Sequence, residues 1–265
     1  MKRLTKEIAE EYTAEGLKPD RLSEIDSEMR DYTHIDDDAA EIMAKDPHLK
    51  LWSLEELSDE SAEALSKVIG TLDFKNGLTK ISDAAAKSLG TFRGMTLKLN
   101  ALEELSEGAA EGLAAYHGEH HLNALTSLSE GAAEKLSAHE NTLRLDGLTE
   151  LSDGAAQGLG KHEYDLFLNG LTSLSDAAFA ELAKNKRTLS LDGITELSDA
   201  AAESLSTHKG PLYLYGISSL SEEAAKSLAK KKKSDLFIED ALHDSIDPHR
   251  TGEEEEDDDE DEWWK

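Results

Sequence analysis

The chain has 265 residues, no cysteine, and a formal net charge of −29. Without cysteine it can form neither a disulfide framework nor a thiolate metal site, and so negative a surface disfavours binding to nucleic acid or anionic lipid. Aromatic residues make up only 5% of the chain, which favours thin, repetitive packing over the large core of a compact enzyme.

The first 32 residues precede the regular part of the sequence. Leu22, Ile25 and Met29 fall at helical spacing, and the segment 18–20, Lys-Pro-Asp, separates two helical pieces. The basic residues near the start are not followed by an apolar stretch, so we expect no secretory signal. No segment approaches the ~20 apolar residues of a membrane span. These features predict a helical N-terminal cap over residues 1–32 of a cytoplasmic protein.

A repeat of 23 to 24 residues fills positions 33–247. Its most regular marker is a leucine or isoleucine directly before Ser-Asp or Ser-Glu, which occurs at Leu57, Ile81, Leu105, Leu128, Leu151, Leu174, Leu197 and Leu220. A degenerate copy at 35–40 precedes these units, and a last strand at 236–238 follows them, with no full helix expected after it. Self-similarity at such a period is the sequence signature of a solenoid, here of about nine units.

Each unit predicts one short strand and one helix. In one of them, Leu143 and Leu145 alternate with polar residues and so lie on one face of a strand. Ser152 then caps a helix, and Asp153 meets the positive end of the helix dipole. One unit alone buries too little apolar surface to be stable, so neighbouring units must stack. We therefore expect an α/β, right-handed solenoid with a parallel sheet on its concave side and helices on its convex side.

The pattern resembles leucine-rich repeats of the ribonuclease-inhibitor and cysteine-containing subclasses, most of all bacterial arrays, over residues 33–240. One position departs from that family, which usually has Asn or Cys where this chain has Leu102, Leu125, Leu148, Leu171, Ile194 and Ile217. In the family a buried Asn ladder satisfies backbone groups of the turn. Hydrocarbon at this position predicts that the ladder is lost and that the sheet is flatter than a typical horseshoe.

Residues 248–265 have a different composition. Positions 253–262 are all acidic, and such a run cannot bury enough apolar surface to become ordered, so we expect a disordered acidic C-terminal tail. The pair Trp263-Trp264 follows it, either as a short linear motif or as a loose hydrophobic end. Repeats followed by an acidic tail are similar in organisation to acidic leucine-rich histone-binding phosphoproteins, although the repeat motif of that family differs.

The strand-lined face is the surface on which solenoids usually bind. Two columns of side chains are predicted to point to solvent there. The first column lies between the two strand leucines and comprises Lys50, Asp73, Lys98, His121, Arg144, Phe167, Ser190, Tyr213 and Phe237. The second comprises Trp52, Lys75, Asn100, Asn123, Asp146, Asn169, Asp192, Tyr215 and Glu239.

The C-terminal part of these columns is aromatic. Phe167, Tyr213, Tyr215 and Phe237, with Arg144 beside them, form the candidate binding patch, because exposed aromatic side chains anchor protein interfaces. The alternative is that these side chains cover one another or lie beneath the acidic tail. Both interpretations stay open at this stage.

Histidines and lysines supply weaker candidates. His117, His139, His162 and His208 recur near helix ends, where they could line a metal-binding edge but are better interpreted as caps of helix C-termini. The segment 117–121 resembles a metal cluster by composition alone, because its side chains should diverge where a helix gives way to a strand. The run Lys230 to Lys233 could contact phosphate, although a solvated helix end or a docking site for the acidic tail fits better.

These features predict a non-catalytic protein-binding or scaffold protein that uses the concave face. A first alternative is a binder or chaperone of basic proteins that uses its acidic surface. A second is an enzyme with a site in the irregular N-terminal segment. We expect no catalytic residue, no metal and no cofactor. We expect a protein partner, with a basic surface if the acidic residues bind it, and neither nucleic acid nor membrane. No oligomeric state follows from the residues.

Overall fold

The computed structural model describes residues 2–14 and 31–250. Eleven short strands lie in these ranges. They are β1 Lys2–Leu4, β2 Tyr32–Ile35, β3 His48–Lys50, β4 Thr71–Asp73, β5 Thr96–Lys98, β6 His120–His121, β7 Leu143–Arg144, β8 Leu166–Phe167, β9 Leu189–Ser190, β10 Leu212–Tyr213 and β11 Leu236–Phe237.

Helices alternate with these strands along the described chain. They are α1 Lys6–Ala14, α2 Asp37–Met43, α3 Asp59–Leu65, α4 Asp83–Gly90, α5 Glu107–Ala114, α6 Glu130–Leu136, α7 Asp153–Leu159, α8 Asp176–Leu182, α9 Asp199–Ser206, α10 Glu222–Leu228 and α11 Asp240–Ile246. Two turns of 3₁₀ helix, Lys233–Asp235 and Asp247–His249, flank the last strand and helix. None of these helices is both long and apolar enough to cross a lipid bilayer.

All strand pairs in the described chain are parallel and join consecutive units. They form three sheets, β1–β2, β3–β4–β5 and β6 through β11. The register repeats from unit to unit, with Leu143 opposite Leu166 and Leu166 opposite Leu189. Consecutive segments therefore lie side by side, which confirms the predicted α/β repeat solenoid.

The core is a continuous layer between the sheets and the helices. In the unit of β7 and α7, the strand and turn leucines Leu145 and Leu148 are fully buried, as are Ala155, Ala156 and Leu159 of the helix. Alanines on the inner face of each helix allow the close approach that such a thin layer requires, because larger side chains would force the helix away from the sheet. The burial pattern confirms the predicted orientation of the repeat.

The helix caps connect one unit to the next. Each serine of the Ser-Asp or Ser-Glu pair accepts a hydrogen bond from the third amide of its own helix, as Ser198 does from Ala201 at 2.9 Å. In seven of the eight the hydroxyl also donates to the first carboxylate of the preceding helix, as Ser198 does to Asp176 at 2.5 Å. The same contact joins Ser58 to Asp37, Ser82 to Asp59, Ser106 to Asp83, Ser152 to Glu130, Ser175 to Asp153 and Ser221 to Asp199.

Asn and Asp side chains form a hydrogen-bonded ladder along the solenoid. Its members lie two positions before the Leu or Ile residues that stand where leucine-rich repeats usually have Asn or Cys. The amide of Asp146 donates to Asn123 Oδ1 at 3.3 Å, and that of Asn169 donates to Asp146 Oδ1 at 3.1 Å. Asp192 and Tyr215 continue the series, with amides 3.0 and 3.1 Å from the side chains of the preceding unit. The ladder position of the family is thus occupied by buried hydrocarbon, as expected, and a neighbouring position supplies a different ladder.

Both ends of the solenoid differ from expectation. The sequence predicts a helical cap over residues 1–32, whereas the described part also contains β1, which pairs with β2, and α1 packs on α2. At the other end a seven-residue helix, α11, follows the last strand and buries Leu242 and Ile246, so the expectation of no full helix there is wrong. The predicted helical positions Leu22, Ile25 and Met29, and the acidic run 253–262, lie outside the described residues.

Candidate binding face

The aromatic patch, defined as Arg144, Phe167, Tyr213, Tyr215 and Phe237, lies on the sheet face opposite the helices. Four of its members occupy one row across β7, β8, β10 and β11, because the leucines on either side of them in each strand point into the core. Tyr215 directly follows the last strand leucine of the β10 unit and is 44% exposed. The structure thus brings all five predicted residues to one end of this sheet face.

Contacts within the patch hold its rings in place. Tyr213 and Phe237 stack with ring centroids 4.3 Å apart and planes only 6° from parallel. Tyr215 meets Tyr213 in a tilted arrangement with centroids 6.2 Å apart. The Arg144 guanidinium lies 3.9 Å from the centre of the Phe167 ring, where the electron-rich face attracts a cation. These neighbours cover one another in part and leave their outer edges accessible.

Two members of the predicted solvent-facing column are buried instead. Ser190 lies between Phe167 and Tyr213 in the register and is only 2% exposed, with its hydroxyl donating to the Asn169 side chain at 2.7 Å. Asp73 is 4% exposed between longer side chains, with Lys98 Nζ 3.7 Å from its carboxylate. In both places the short residue is covered by long side chains on the adjacent strands, which strand alternation alone cannot reveal.

The charge of the protein is not spread evenly over its surfaces. The two columns of the sheet face contain four cations, Lys50, Lys75, Lys98 and Arg144, and four carboxylates, Asp73, Asp146, Asp192 and Glu239. The sheet face is therefore balanced in charge, whereas the loops that lead into helices α3 to α10 are strongly acidic. Their segments 55–60, 79–83, 103–107, 126–130, 149–153, 172–176, 195–199 and 218–223, which we call the acidic edge, contain sixteen carboxylates and one lysine.

A buried polar column follows the helices on the other edge of the solenoid. His139, His162 and His208 are 1 to 3% exposed, and their Nδ1 atoms lie 3.3 to 3.4 Å from carbonyl oxygens at the helix end of the preceding unit. Burial lowers the pKa of all three, for His139 to about 4. The predicted capping role thus applies to the neighbouring helix. His117 is exposed and lies outside the column, where Tyr116 takes its place.

His120 and His121 point to opposite sides of β6. His120 is buried with Nε2 2.7 Å from the Leu113 carbonyl, and burial lowers its pKa to about 3. His121 lies on the sheet face with Nε2 3.3 Å from Glu119. The two rings share no position for an ion, and the part of the chain that the structure describes contains no group of three or more His, Asp and Glu placed to hold a metal.

Comparison of the sequence with models of known protein families and with curated proteins finds no match. The repeat solenoid therefore stands on the geometry of its own strands and helices.

Proposed function

We propose that this protein is a non-catalytic protein-binding or scaffold protein and that the aromatic patch is its main contact surface. The stacking of Tyr213 on Phe237 supports the proposal, because rings already held in place lose little side-chain entropy when a partner covers them. Over β3 to β6 the same face is polar or charged apart from Trp52, whose ring lies beneath Lys50 and Lys75. Aromatic anchors in the middle of an interface contribute most of its binding energy.

We also propose kinship with leucine-rich repeats and a cytoplasmic location. The cytoplasmic location suits a chain without cysteine.

The sheet face has no net charge in its two columns, and this affects which kind of partner it can select. With four cations and four carboxylates in its two columns, this face does not select a basic partner by its net charge. We expect a partner with apolar side chains at the centre of its contact, and an affinity that changes little between low and moderate salt.

The acidic edge supports a second candidate, a binder or chaperone of basic proteins. Its sixteen carboxylates and single lysine produce a negative potential along the solenoid, and Lys80, that one lysine, is itself paired with Glu104 at 3.1 Å. A partner that uses this edge would be rich in Lys and Arg. Its affinity would fall steeply with salt, because screening weakens contacts between exposed charges.

The enzyme alternative has less support. A polar cleft at the start of the solenoid contains Asp36, Asp37 and Asp38, but Arg3 pairs with Asp36 at 2.7 Å. Hydrogen bonds from Ser58 and Ser61 hold the pKa of Asp37 below its ordinary value. A carboxylate held in its ionised form, as Asp37 is, lacks the raised pKa of a general acid. The rest of the candidate segment, residues 15–30, lies outside the described residues.

Affinity capture followed by titration of the purified partner tests the proposal. We expect the double variant Tyr213→Ala/Phe237→Ala to raise the Kd by about tenfold or more, as loss of an aromatic anchor does. The melting temperature should change little, because both rings are partly exposed. Tyr164→Ala is the matched control, since Tyr164 is 39% exposed and lies outside the patch; it should leave the Kd unchanged.

The outcomes separate the two candidates. A partner that the double variant still binds, but that dissociates at moderate salt, favours the acidic edge and refutes the aromatic patch. A marked fall in melting temperature in the double variant would also refute the patch, because the rings would then belong to the core.

A further inference from the structure

The turns after helices α8, α9 and α10 are basic in a strongly acidic protein. The segments 184–187, 207–210 and 230–233 contain eight lysines and arginines and no carboxylate. The corresponding turns of the two preceding units, 138–141 and 161–164, contain one basic residue and two glutamates. We call the three C-terminal turns the basic edge. It lies across the molecule from the acidic edge, because one follows the helix C-termini and the other precedes the helix N-termini.

The cations of the basic edge are only partly neutralised. Lys184 and Lys186 pair with Glu181 and Glu163 at 2.6 and 3.3 Å, and Lys233 pairs with Asp247 at 3.3 Å. Lys231 is buried and donates to the carbonyls of His208 and Gly210.

Lys232 is also exposed and is not without a partner. The three other exposed cations are Arg187, Lys209 and Lys230. None of them forms an ion pair with another residue of the described ranges. Cations that converge from three adjacent turns create a positive potential that a polyanion would neutralise.

The described chain ends beside this edge. Arg250 donates from Nη1 to the Lys231 carbonyl at 2.5 Å and pairs with Asp247 at 3.1 Å. Ten consecutive carboxylates begin three residues later and occupy positions 253–262. Ten residues span up to about 33 Å when extended, whereas three adjacent units cover only about 10 Å at the spacing of neighbouring strands. The acidic run can therefore reach every cation of the basic edge.

We propose that the acidic run 253–262 binds the basic edge of its own chain and keeps other polyanions from it. The run is covalently attached a few residues away, so its effective concentration at the edge is on the order of millimolar. A free acidic peptide, or a partner with an acidic surface, must compete with it. This surface is independent of the aromatic patch and of the partner proposed for it.

Spin labels measure the contact in the full-length chain, which offers a cysteine-free background. Labels at Thr207→Cys, which is exposed on the basic edge, and at Lys265→Cys should give a short-distance population in low salt. Replacing Arg187, Lys209 and Lys230 with Gln should remove that population, as should 1 M salt, where the Debye length is about 3 Å. The matched control replaces Lys45, Lys87 and Arg93 with Gln, which removes the same charge elsewhere and should leave the distances unchanged. Identical distances in the parent and the edge variant, or a shift in the control, would overturn the proposal.

Titration with a fluorescent polyglutamate peptide provides the second readout. A full-length variant with amides in place of the carboxylates at 253–262 should bind the peptide about tenfold or more tightly than the parent chain, because the competing segment has lost its charge. Equal binding by the two chains, or no binding by either, would show that the acidic run does not occupy the edge.

Discussion

At the scale of single residues, the buried polar column shows which kind of side chain is needed at the position that follows each helix of the repeat. His139, His162 and His208 contact a carbonyl of the preceding unit, and Asn185 and Lys231 take the same place 23 residues after His162 and His208. Imidazole, amide and amine share only the ability to donate a hydrogen bond. In these five units the place therefore requires a donor, whereas Tyr116, which takes it one unit before His139, accepts from the Leu97 amide. Titration of the histidines is a consequence of their burial.

The stability of the protein should fall in mild acid because of these rings. His139 has a pKa near 4 when folded and near 6.5 when unfolded, so the unfolded chain binds the extra proton. Its contribution is present above pH 6.5 and is lost as pH falls towards 4. We expect His139→Asn to reduce the loss between pH 7 and 5 by on the order of 1 to 2 kcal/mol, measured by urea unfolding at each pH.

Two features make that comparison specific. Asparagine already occupies the equivalent place at Asn185, where it donates to the His162 carbonyl at 2.7 Å, so the variant retains a donor. His117→Asn is the control, because His117 is exposed beside the column and should not alter the pH dependence. Parallel curves for the parent and His139→Asn would contradict the assignment of a buried neutral ring.

At the scale of elements, the helix N-termini are coupled from one unit to the next. The serine that caps a helix also donates to the carboxylate that opens the preceding helix, as between Ser198 and Asp176. An N-cap and a dipole-stabilising carboxylate, which are usually local features, here form part of the interface between units. Short helices of seven to nine residues benefit from this coupling, because such lengths are marginal alone.

A double-mutant cycle measures this coupling. Ser198→Ala should cost about 1 kcal/mol or more, as loss of an N-cap does, and Asp176→Asn should cost less. The double variant should cost less than the sum, with an interaction energy of at least about 0.5 kcal/mol. Ser198→Ala combined with Asp153→Asn is the control, because Asp153 contacts Ser175 instead and the two effects should add. Additivity in both cycles would mean that the caps act independently.

At the scale of the whole molecule, the sheet is not continuous. Within the described residues no ladder joins β2 to β3 or β5 to β6, and the second of these breaks divides the repeats themselves. The Leu97 amide, at this break, donates instead to the Tyr116 hydroxyl at 3.1 Å. A repeat protein transmits stability only through contacts between neighbours, so a junction without strand hydrogen bonds should be a weak link between the parts of the solenoid on either side of it.

Tyr116→Phe tests that weak link. The variant leaves the buried Leu97 amide without its acceptor, which costs about 1 to 3 kcal/mol. It should separate the unfolding of the described residues up to 115 from that of residues 116–250. Hydrogen exchange measured by mass spectrometry at increasing urea should show two transitions in place of one. Tyr164→Phe, at an exposed ring, should leave the transitions unchanged. A single transition in Tyr116→Phe would show that helix packing alone joins the two parts.

Repetition made the main features of the fold predictable from the sequence. The 23-residue spacing, the alternation at Leu143 and Leu145 and the Ser-Asp signal at Ser152 each depend on local geometry that is repeated in every unit. The same spacing also places Phe167 and Tyr213 on one face, so the members of the aromatic patch could be assembled without coordinates.

Contacts between units could be decided only by the tertiary structure, because they depend on which side chains lie beside one another on adjacent strands and turns. Ser190 lies in register between Phe167 and Tyr213 and is buried, with its hydroxyl bonded to the Asn169 side chain, although alternation predicts exposure. Asn169 and its counterparts at 23-residue spacing form a ladder. Its signal lies two positions before the place to which the family resemblance directs attention. Local pattern determines the orientation of a residue in its own unit, and packing against the next unit determines what that residue contacts.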